Sequence, residues 1–375
     1  MNRIEDLVRE SLRERVETPP ALHEPADRAV SAAHRVRRRR ALAVAGIAVV
    51  LATAGLSVFR WGTGDRPPPP AINPAPTPAA TLPAVALVVN GNTLLLPGGR
   101  SVTVAAPTYG IQAFQVAQGY LASSHTPGTD TLTTWLVTPD GRMRTVLTGL
   151  RSWPVVEAGG FQVAWRDGTG LHTGHLSDKG DMVVDSSTKM TGPGNPIALT
   201  DPAVVLGSTD GFDLWVPSRG PYVPSWNVIT QVAAVYGAGP DHKTVLGLVH
   251  QSPKSKATCL AEMDPTQSLH PLRTACGLHL VSDADGVMSP DGRWLAARTE
   301  DGRVAVIDLG TVFEHPSADT LTWPADRTGT WIDDHTMLAP AGGQLRRFEV
   351  TGDTGAPVEI AGLAPGTPFE PVPRA

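Results

Sequence analysis

The 375-residue sequence predicts an all-β domain outside a membrane, a seven-bladed β-propeller with six blades as the alternative. Three observations lead to this expectation. One apolar segment is long enough to span a bilayer, the chain beyond it is punctuated by hairpin turns, and comparable strands recur there at a regular interval. The sequence therefore separates into a short inner part and a large outer domain.

Residues 1–40 are expected to form a helical cytoplasmic segment. Asn2 and Glu5 have the spacing of a capping box. Apolar residues then recur at helical intervals on one face: Ile4, Leu7, Val8, Leu12 and Val16. A helix this short is marginal in water, so its apolar face needs a surface to cover. The second helical stretch, lipid headgroups and a groove on a cytosolic protein are the three candidates.

Residues 41–59 are expected to form one transmembrane helix. They are 19 consecutive uncharged positions, preceded by four arginines and followed by an arginine and a tryptophan. At about 1.5 Å per residue, such a helix just spans a hydrocarbon core of roughly 30 Å. Because arginines favour the cytoplasmic side, the sequence predicts a single-pass protein of the cell membrane with residues 1–40 inside and the remainder outside.

A cleaved signal peptide is the alternative interpretation of the apolar segment. Ala52-Thr53-Ala54 has the small-residue pattern of a cleavage site. The 40 residues that precede the segment are much longer than the usual charged lead of a signal peptide, and they carry a helical pattern of their own. We therefore expect the segment to be retained.

Residues 60–83 are predicted to be a proline-rich linker. The part from Arg66 to Pro83 contains 8 prolines, four of them consecutive. Such a segment prefers the polyproline II conformation and rises about 3.1 Å per residue, so it can hold a domain up to roughly 50 Å from a bilayer. We interpret it as a spacer in front of the outer domain, residues 84–375.

Composition supports an extracytoplasmic domain that does not bind nucleic acid. The chain has 38 Gly, 35 Pro and 9 Trp, and 18% of its residues are charged, which is typical of turn-rich β proteins. Residues 41–375 hold 21 Lys or Arg against 29 Asp or Glu. This mildly acidic balance argues against a nucleic-acid partner outside the membrane.

The two cysteines are expected to form a disulfide. Cys259 and Cys276 both lie in the outer domain, and an even count in an oxidising compartment favours one bond. In the chain-entropy treatment, closing this loop would stabilise the fold by about 3 kcal/mol. Two unpaired buried thiols are the alternative.

The pattern of the outer domain indicates consecutive β-hairpins. Short runs rich in Val, Leu, Thr and Trp are separated by Asn-Gly and Asp-Gly pairs, which supply the positive φ angles of tight turns. These pairs begin at Asn90, Asp140, Asp167, Asp210, Asp285, Asp291 and Asp301.

Regular spacing identifies the propeller. Comparable strands begin at Tyr120, Phe161, Ala203, Thr244, Trp294 and Met337, in steps of 41, 42, 41, 50 and 43 residues. This interval is the length of one four-stranded blade. The long step contains both cysteines, as expected of an extended hairpin. An earlier unit, 85–104, holds about three strands, and a strand near 368–372 would complete it and close the ring.

Two turn motifs give the outer domain a resemblance to a known family. Residues 289–296, Ser-Pro-Asp-Gly-Arg-Trp-Leu-Ala, resemble the signature of TolB-like propellers, which are related in architecture to WD repeats, and residues 138–142 are similar. The resemblance implies a structural role in shaping turns and packing an aromatic ring between blades. The residues concerned are Pro139, Asp140, Gly141, Pro290, Asp291, Gly292 and Trp294.

The inner segment has a second resemblance. Its sequence, followed by an arginine-flanked span and an outer domain, resembles actinobacterial membrane proteins often proposed to regulate extracytoplasmic-function sigma factors. The zinc-containing members of that class carry a His-x3-Cys-x2-Cys motif, whereas residues 1–40 contain His23 and His34 but no cysteine. The resemblance therefore implies a zinc-free, anti-sigma-like segment.

No catalytic, cofactor or metal site is predicted. His172 and His175 could form one edge of a metal site, but no third ligand has suitable spacing, and a hairpin explains them equally well. The sequence favours a non-enzymatic membrane protein that binds an outer peptide, glycan or envelope protein and an inner cytosolic sigma factor. The alternatives are an envelope hydrolase or lyase, which needs convergent carboxylates or histidines on the innermost strands, and a docking component of an envelope complex.

Overall fold

The structure, a computed structural model, describes residues 85–105, 110–190, 192–226, 228–252, 255, 257–282, 286–316, 320–351, 354–358 and 369–373. Within these ranges the chain forms 27 β-strands and two short 3-10 helices, Pro217–Arg219 and Pro265–Gln267. None of the helices in these ranges is long and apolar enough to cross a membrane. The predicted inner segment, transmembrane helix and linker, residues 1–83, lie outside the described residues.

The strands of the described chain pair into seven antiparallel sheets, which makes the domain a seven-bladed β-propeller. The prediction of seven blades is confirmed, and the alternative of six is wrong. The blades are numbered I to VII around the ring. The first strands of blades III to VII contact one another in succession, so the first strand of a blade lies nearest the axis.

The first four blades follow one another along the chain, except for one closing strand. Blade I consists of β27 (Phe369–Pro371), β1 (Leu87–Val89), β2 (Thr93–Leu95) and β3 (Ser101–Thr103). Blade II consists of β4 (Ile111–Val116), β5 (Gly119–His125), β6 (Leu132–Val137) and β7 (Met143–Leu150). Blade III consists of β8 (Val155–Val156), β9 (Gln162–Arg166), β10 (Leu171–Leu176) and β11 (Met182–Thr188). Blade IV consists of β12 (Asn195–Leu199), β13 (Val204–Ser208) and β14 (Gly211–Trp215).

The last three blades each have four consecutive strands. Blade V consists of β15 (Val232–Ala238), β16 (Val245–His250), β17 (Thr258–Asp264) and β18 (His270–Cys276). Blade VI consists of β19 (Gly286–Met288), β20 (Trp294–Arg298), β21 (Val304–Asp308) and β22 (Thr320–Trp323). Blade VII consists of β23 (Thr330–Trp331), β24 (Thr336–Ala341), β25 (Gln344–Glu349) and β26 (Thr354–Pro357).

The strands that showed the regular spacing in the sequence are the second strands of blades II to VII. Each predicted start lies within one residue of the start of β5, β9, β13, β16, β20 or β24. These strands are buried along most of their length, whereas the outermost strands β7, β11 and β18 are largely exposed. A strand covered on both faces has a continuous apolar sequence, which is why the second strands stood out.

The carboxyl-terminal strand closes the ring. In β27, Phe369 pairs with Val89 and Pro371 pairs with Leu87, so the first and last parts of the domain share blade I. The next residue, Val372, is 2% exposed and packs with the core between blades I and II. The predicted closing strand near 368–372 is therefore confirmed.

The disulfide in blade V is confirmed. Cys259 on β17 and Cys276 on β18 are directly opposite each other in the register of the sheet, with their Cα atoms 4.2 Å apart. Cys259 is 4% exposed and belongs to the core beneath blade V. The bond therefore ties the outermost strand of blade V to its third strand.

Blade IV departs from the expected four strands. The sequence that follows β14 contains three prolines within 216–231, and a proline cannot donate to a strand ladder. This segment is held instead by the fully buried carboxylate of Asp213. That carboxylate accepts hydrogen bonds from the hydroxyl of Tyr222 at 2.7 Å and from the backbone N–H of Ser225 at 2.7 Å. Burial and the bond to Asp213 both raise the pKa of Tyr222.

Candidate functional site

An axial cavity of about 190 Å³ lies at the centre of the ring. Its walls come from five blades, because blades III, V, VI and VII each contribute residues and the chain end after β27 contributes for blade I. Ala158, His242, Met288, Asp291, Trp331 and Pro373 are among the lining residues. A site framed by so many blades is positioned by the rigid ring as a whole.

Most of the cavity is built from turns that join the first strand of a blade to its second. We call these turns the inner-turn ring, which comprises 117–118, 157–161, 200–203, 239–244, 289–293 and 332–335 together with 85–86 and 372–373. The chain enters and leaves the described propeller at this ring, since the N–H of Val372 donates to the carbonyl of Ala86 at 2.9 Å. The inner-turn ring therefore marks one face of the propeller.

Close packing of two turns shapes one wall of the cavity. Gly292 has a φ of +72°, and a Cβ atom added there would lie 2.9 Å from the Cα atom of Pro240. A side chain at position 292 would therefore be strained by its backbone conformation and would collide with the turn of blade V. Glycine at this position allows the turns of blades V and VI to meet.

Glu157 and His242 form a pair beside the cavity. Oε1 of Glu157 lies 3.5 Å from Nδ1 of His242, and the two side chains are 12% and 39% exposed respectively. Nδ1 of His242 is buried without a hydrogen-bond partner, although the imidazole as a whole is partly exposed and lines the cavity. The carboxylate thus lies behind the imidazole, and the part of the ring away from Nδ1 is accessible.

The turn of blade IV completes the arrangement. The backbone N–H of Asp201 donates to the carbonyl of His242 at 2.8 Å. Burial raises the pKa of the Glu157 carboxyl, the neighbouring His242 partly offsets this, and the negative charge of Asp201 raises the pKa further. A perturbed carboxyl next to an imidazole at a cavity is a feature that concentrates at functional sites.

The inner-turn ring is strongly acidic. It carries six carboxylates against two fixed cations, Lys243 and Arg293. Arg293 is already paired, since its guanidinium lies 2.8 Å from Asp308. The six carboxylates are those of Glu157, Asp201, Asp241, Asp291, Asp333 and Asp334.

The turn motif of blade VI lines the cavity. Pro290, Asp291 and Gly292 lie in the turn between β19 and β20, where the N–H of Gly292 donates to the carbonyl of Ser289 at 2.8 Å. The carboxylate of Asp291 accepts from the hydroxyl of Ser289 at 2.6 Å. The motif therefore shapes its own turn and supplies a wall of the site.

The similar motif of blade II lies elsewhere. Pro139, Asp140 and Gly141 form the turn between the third and fourth strands, β6 and β7, where the N–H of Gly141 donates to the carbonyl of Thr138 at 2.8 Å. The carbonyl of Asp140 accepts from the Arg100 side chain of blade I. The two motifs thus occupy different positions in their blades and are not brought together.

Trp294 follows the motif of blade VI and packs between blades. The ring is partly buried against the cluster that includes Trp323 and Trp331, and Trp323 in turn stacks on Phe348 with ring centroids 5.1 Å apart. These aromatic side chains fill the boundary between blades VI and VII. Because these aromatic side chains are largely buried, we assign them a role in packing the two blades together.

The two histidines of the weak metal motif contact different partners in blade III. Nδ1 of His172 lies 2.9 Å from the hydroxyl of Ser187, and Nε2 lies 3.1 Å from Asp167. Nδ1 of His175 lies 3.0 Å from Asp185. Among the residues that the structure describes, no group of three or more His, Cys, Asp or Glu side chains could hold a metal ion.

The innermost strands supply few ionisable groups. Across the described first strands of the seven blades, the one carboxylate is that of Glu370, and none of these strands contains a histidine. Glu370 is 59% exposed and pairs with Arg327 at 2.7 Å. Apart from Glu370, the carboxylates and histidines of the described inner-turn ring therefore come from turns and not from the first strands.

Sequence reasoning did not identify the Glu157–His242 pair. The available signal was the position of both residues just after the first strand of a blade, which becomes visible once the repeat has been aligned. The five predicted binding residues of the inner helix, Ile4, Leu7, Val8, Leu12 and Val16, lie outside the described residues.

Comparison with known proteins assigns no family to the chain. The sequence matches no protein-family model, and no curated protein matches it. Its function is therefore inferred from the fold and from the geometry of the cavity.

Proposed function

We propose that this chain is a non-enzymatic, single-pass membrane protein whose extracytoplasmic propeller binds a ligand or envelope partner at the axial cavity. The observation that carries the proposal is the Glu157–His242 pair beside a cavity framed by five blades. Rigid concave sites with a few positioned polar groups are the usual form of binding pockets. A peptide, a glycan or an envelope protein would present one small group to the cavity.

Binding fits the site better than hydrolysis does. A hydrolase or lyase of the axial funnel would need carboxylates or histidines converging from the innermost strands. The described first strands offer Glu370, which is exposed and paired with Arg327. The pair at the inner-turn ring contains a single imidazole with one carboxylate behind it, which suits recognition of a charged group.

The membrane span and the inner partner belong to the same proposal. Residues 41–59 would anchor the protein, and residues 1–40 would bind a cytosolic sigma factor through the apolar face predicted for the first helix. The propeller would belong to the TolB-like type that its turn motif resembles.

Site-specific photo-crosslinking in cells tests the outer site. A photoreactive amino acid at Ala158, an exposed residue of the cavity wall, should give a discrete crosslinked product in the envelope fraction. The matched control is the same amino acid at Thr209, which is exposed on the turn between β13 and β14. Products of equal yield at both positions, or no product at Ala158, would refute binding at the cavity.

Co-purification of the full chain from detergent tests the inner partner. A sigma factor should co-purify with the wild-type chain, and replacing both Leu7 and Leu12 with Asp should remove it by placing charges on the apolar face. The matched control is Glu10→Asp, which keeps the charge on the polar face. Unchanged recovery after the double substitution, with unchanged transcripts, would refute this part of the proposal.

A further inference from the structure

We infer that the axial cavity takes a positively charged group, the ammonium or guanidinium of a basic side chain on a peptide partner. This inference rests on the proposed function, because it names the ligand chemistry of the same cavity. It combines four features of the site: its size, the apolar character of its walls, the charge of the inner-turn ring and the Glu157–His242 pair.

The size of the cavity restricts the ligand. Pockets for drug-sized molecules usually occupy about 300–1,000 Å³. The axial cavity measures about 190 Å³, so it admits one long side chain but not a folded domain or an oligosaccharide. A peptide partner would therefore lie across the inner-turn ring and insert a single residue.

The walls suit the stem of a long side chain. Val287, Met288 and Pro290 line one side of the cavity, and Trp331 adjoins them. Lysine and arginine bury their methylene groups along such apolar surface while the charged end remains with polar partners.

The charge of the rim favours a cation. Six carboxylates of the inner-turn ring oppose Lys243 and the already paired Arg293. Asp291 lines the cavity itself, and a ligand carboxylate or phosphate would approach through a ring of net negative charge, so the ring disfavours anions.

The pair at the cavity adds a specific partner. Glu157 is mostly buried behind His242, and in the described part of the chain that histidine is the one basic side chain within ion-pair distance of its carboxylate. Burial away from solvent makes the negative charge of this carboxylate unfavourable, and the positive charge of an incoming cation would offset that cost. His242 lines the cavity, so a ligand ammonium would approach the pair from the accessible side of the imidazole.

Calorimetric titration of the full chain in detergent micelles tests the inference with three peptides. The probes are a glycine-rich pentapeptide with blocked termini and one central lysine, the same peptide with that lysine acetylated, and a copy with glutamate in its place. The lysine peptide should bind at least about tenfold more tightly than either of the others, and raised salt should weaken it.

Two variants locate the binding. Glu157→Gln keeps the shape of the side chain and should weaken binding of the lysine peptide about tenfold. Ala158→Trp fills the cavity from an exposed position and should abolish binding. The matched control is Glu300→Gln, an exposed glutamate on the turn between β20 and β21, which should leave the affinity unchanged.

The outcomes separate the inference from the proposed function. Preference for the acetylated or glutamate peptide, with binding still abolished by Ala158→Trp, would overturn the cationic ligand and leave the cavity as a binding site. No affinity for any of the three peptides would also overturn the inference. A photo-crosslink confined to Ala158 would then still support the proposed function, and its absence would refute both.

Discussion

Nδ1 of His242 lies 3.5 Å from Oε1 of Glu157, although the two residues belong to blades that are separated by a third. The turn of that third blade contacts the pair, since the Asp201 N–H donates to the His242 carbonyl at 2.8 Å and the charge of Asp201 acts on the Glu157 carboxyl. Turns of three consecutive blades therefore meet at the pair.

Replacing Glu157 with glutamine should stabilise the protein at neutral and basic pH. Burial raises the pKa of this carboxyl, so the folded state binds the proton more tightly than the unfolded chain does. The stability that this group contributes is present below the unfolded pKa of about 4.3 and is lost as the pH rises through the folded value. Thermal unfolding should give a melting temperature about 1–3 °C above wild type near pH 8. The gain should shrink at about pH 4, and a gain that is equal at both values would contradict this interpretation.

Affinity for the lysine peptide should fall as the solution becomes acidic. Protonation of Glu157 removes the negative charge behind His242, and burial and the charge of Asp201 both raise the pKa of this carboxyl. Titrations from about pH 7.5 down to about pH 4 should show a loss that approaches the tenfold effect of Glu157→Gln. In the Glu157→Gln variant the dependence should become shallower, and an unchanged slope would remove Glu157 from the site.

Breaking the disulfide should destabilise the propeller without opening the cavity. Replacing Cys259 and Cys276 together with serine removes a cross-link between β17 and β18, at a cost of about 3 kcal/mol. Chemical denaturation of the oxidised and reduced wild type and of the double variant measures the difference. The reduced wild type should resemble the variant. A loss below about 1 kcal/mol would show that the sheet alone holds the outer strand.

Removing the closing strand should open the ring. A chain that stops before Phe369 loses the pairing of β27 with β1 and the buried Val372 side chain. Burial of a valine side chain alone contributes about 1.5–3 kcal/mol, and the lost strand adds to this. Val372→Ala is the milder companion and should reduce stability by about 2 kcal/mol. A truncated chain with wild-type stability would contradict closure by β27.

The buried Asp213 should be indispensable for blade IV. Asp213→Ala leaves the Tyr222 hydroxyl and the Ser225 N–H without their acceptor, and we expect a loss of about 3 kcal/mol. Asp213→Asn retains one acceptor oxygen and should lose less. Hydrogen exchange of residues 216–226 should rise in the alanine variant, and unchanged protection there would show that the segment is held by other contacts.

The number of blades could be predicted from the sequence because one strand in each blade is buried on both faces. β16 and β20, for example, are apolar over most of their length and recur at the blade interval. The missing fourth strand of blade IV was not predicted, because the role of the prolines in 216–231 becomes clear only with the Asp213 network. The repeat of buried strands therefore predicted the number of blades but not the missing fourth strand of blade IV.

The site could not be predicted because it depends on contacts between distant turns. Glu157 and His242 each look like ordinary turn residues in the sequence, and only the curvature of the ring brings them to 3.5 Å. By contrast, Asp291 was recognised through its motif, but as a structural residue and not as part of a cavity wall. Turn residues acquire a shared environment from the closed ring, which local sequence patterns do not encode.

A crystal structure of the full chain with the lysine peptide tests the cationic-ligand claim most directly. We predict that the lysine side chain enters the axial cavity along Met288 and Trp331, with its ammonium against the His242 imidazole on the side away from Glu157. A peptide bound on another surface, with the cavity unoccupied, would contradict this claim.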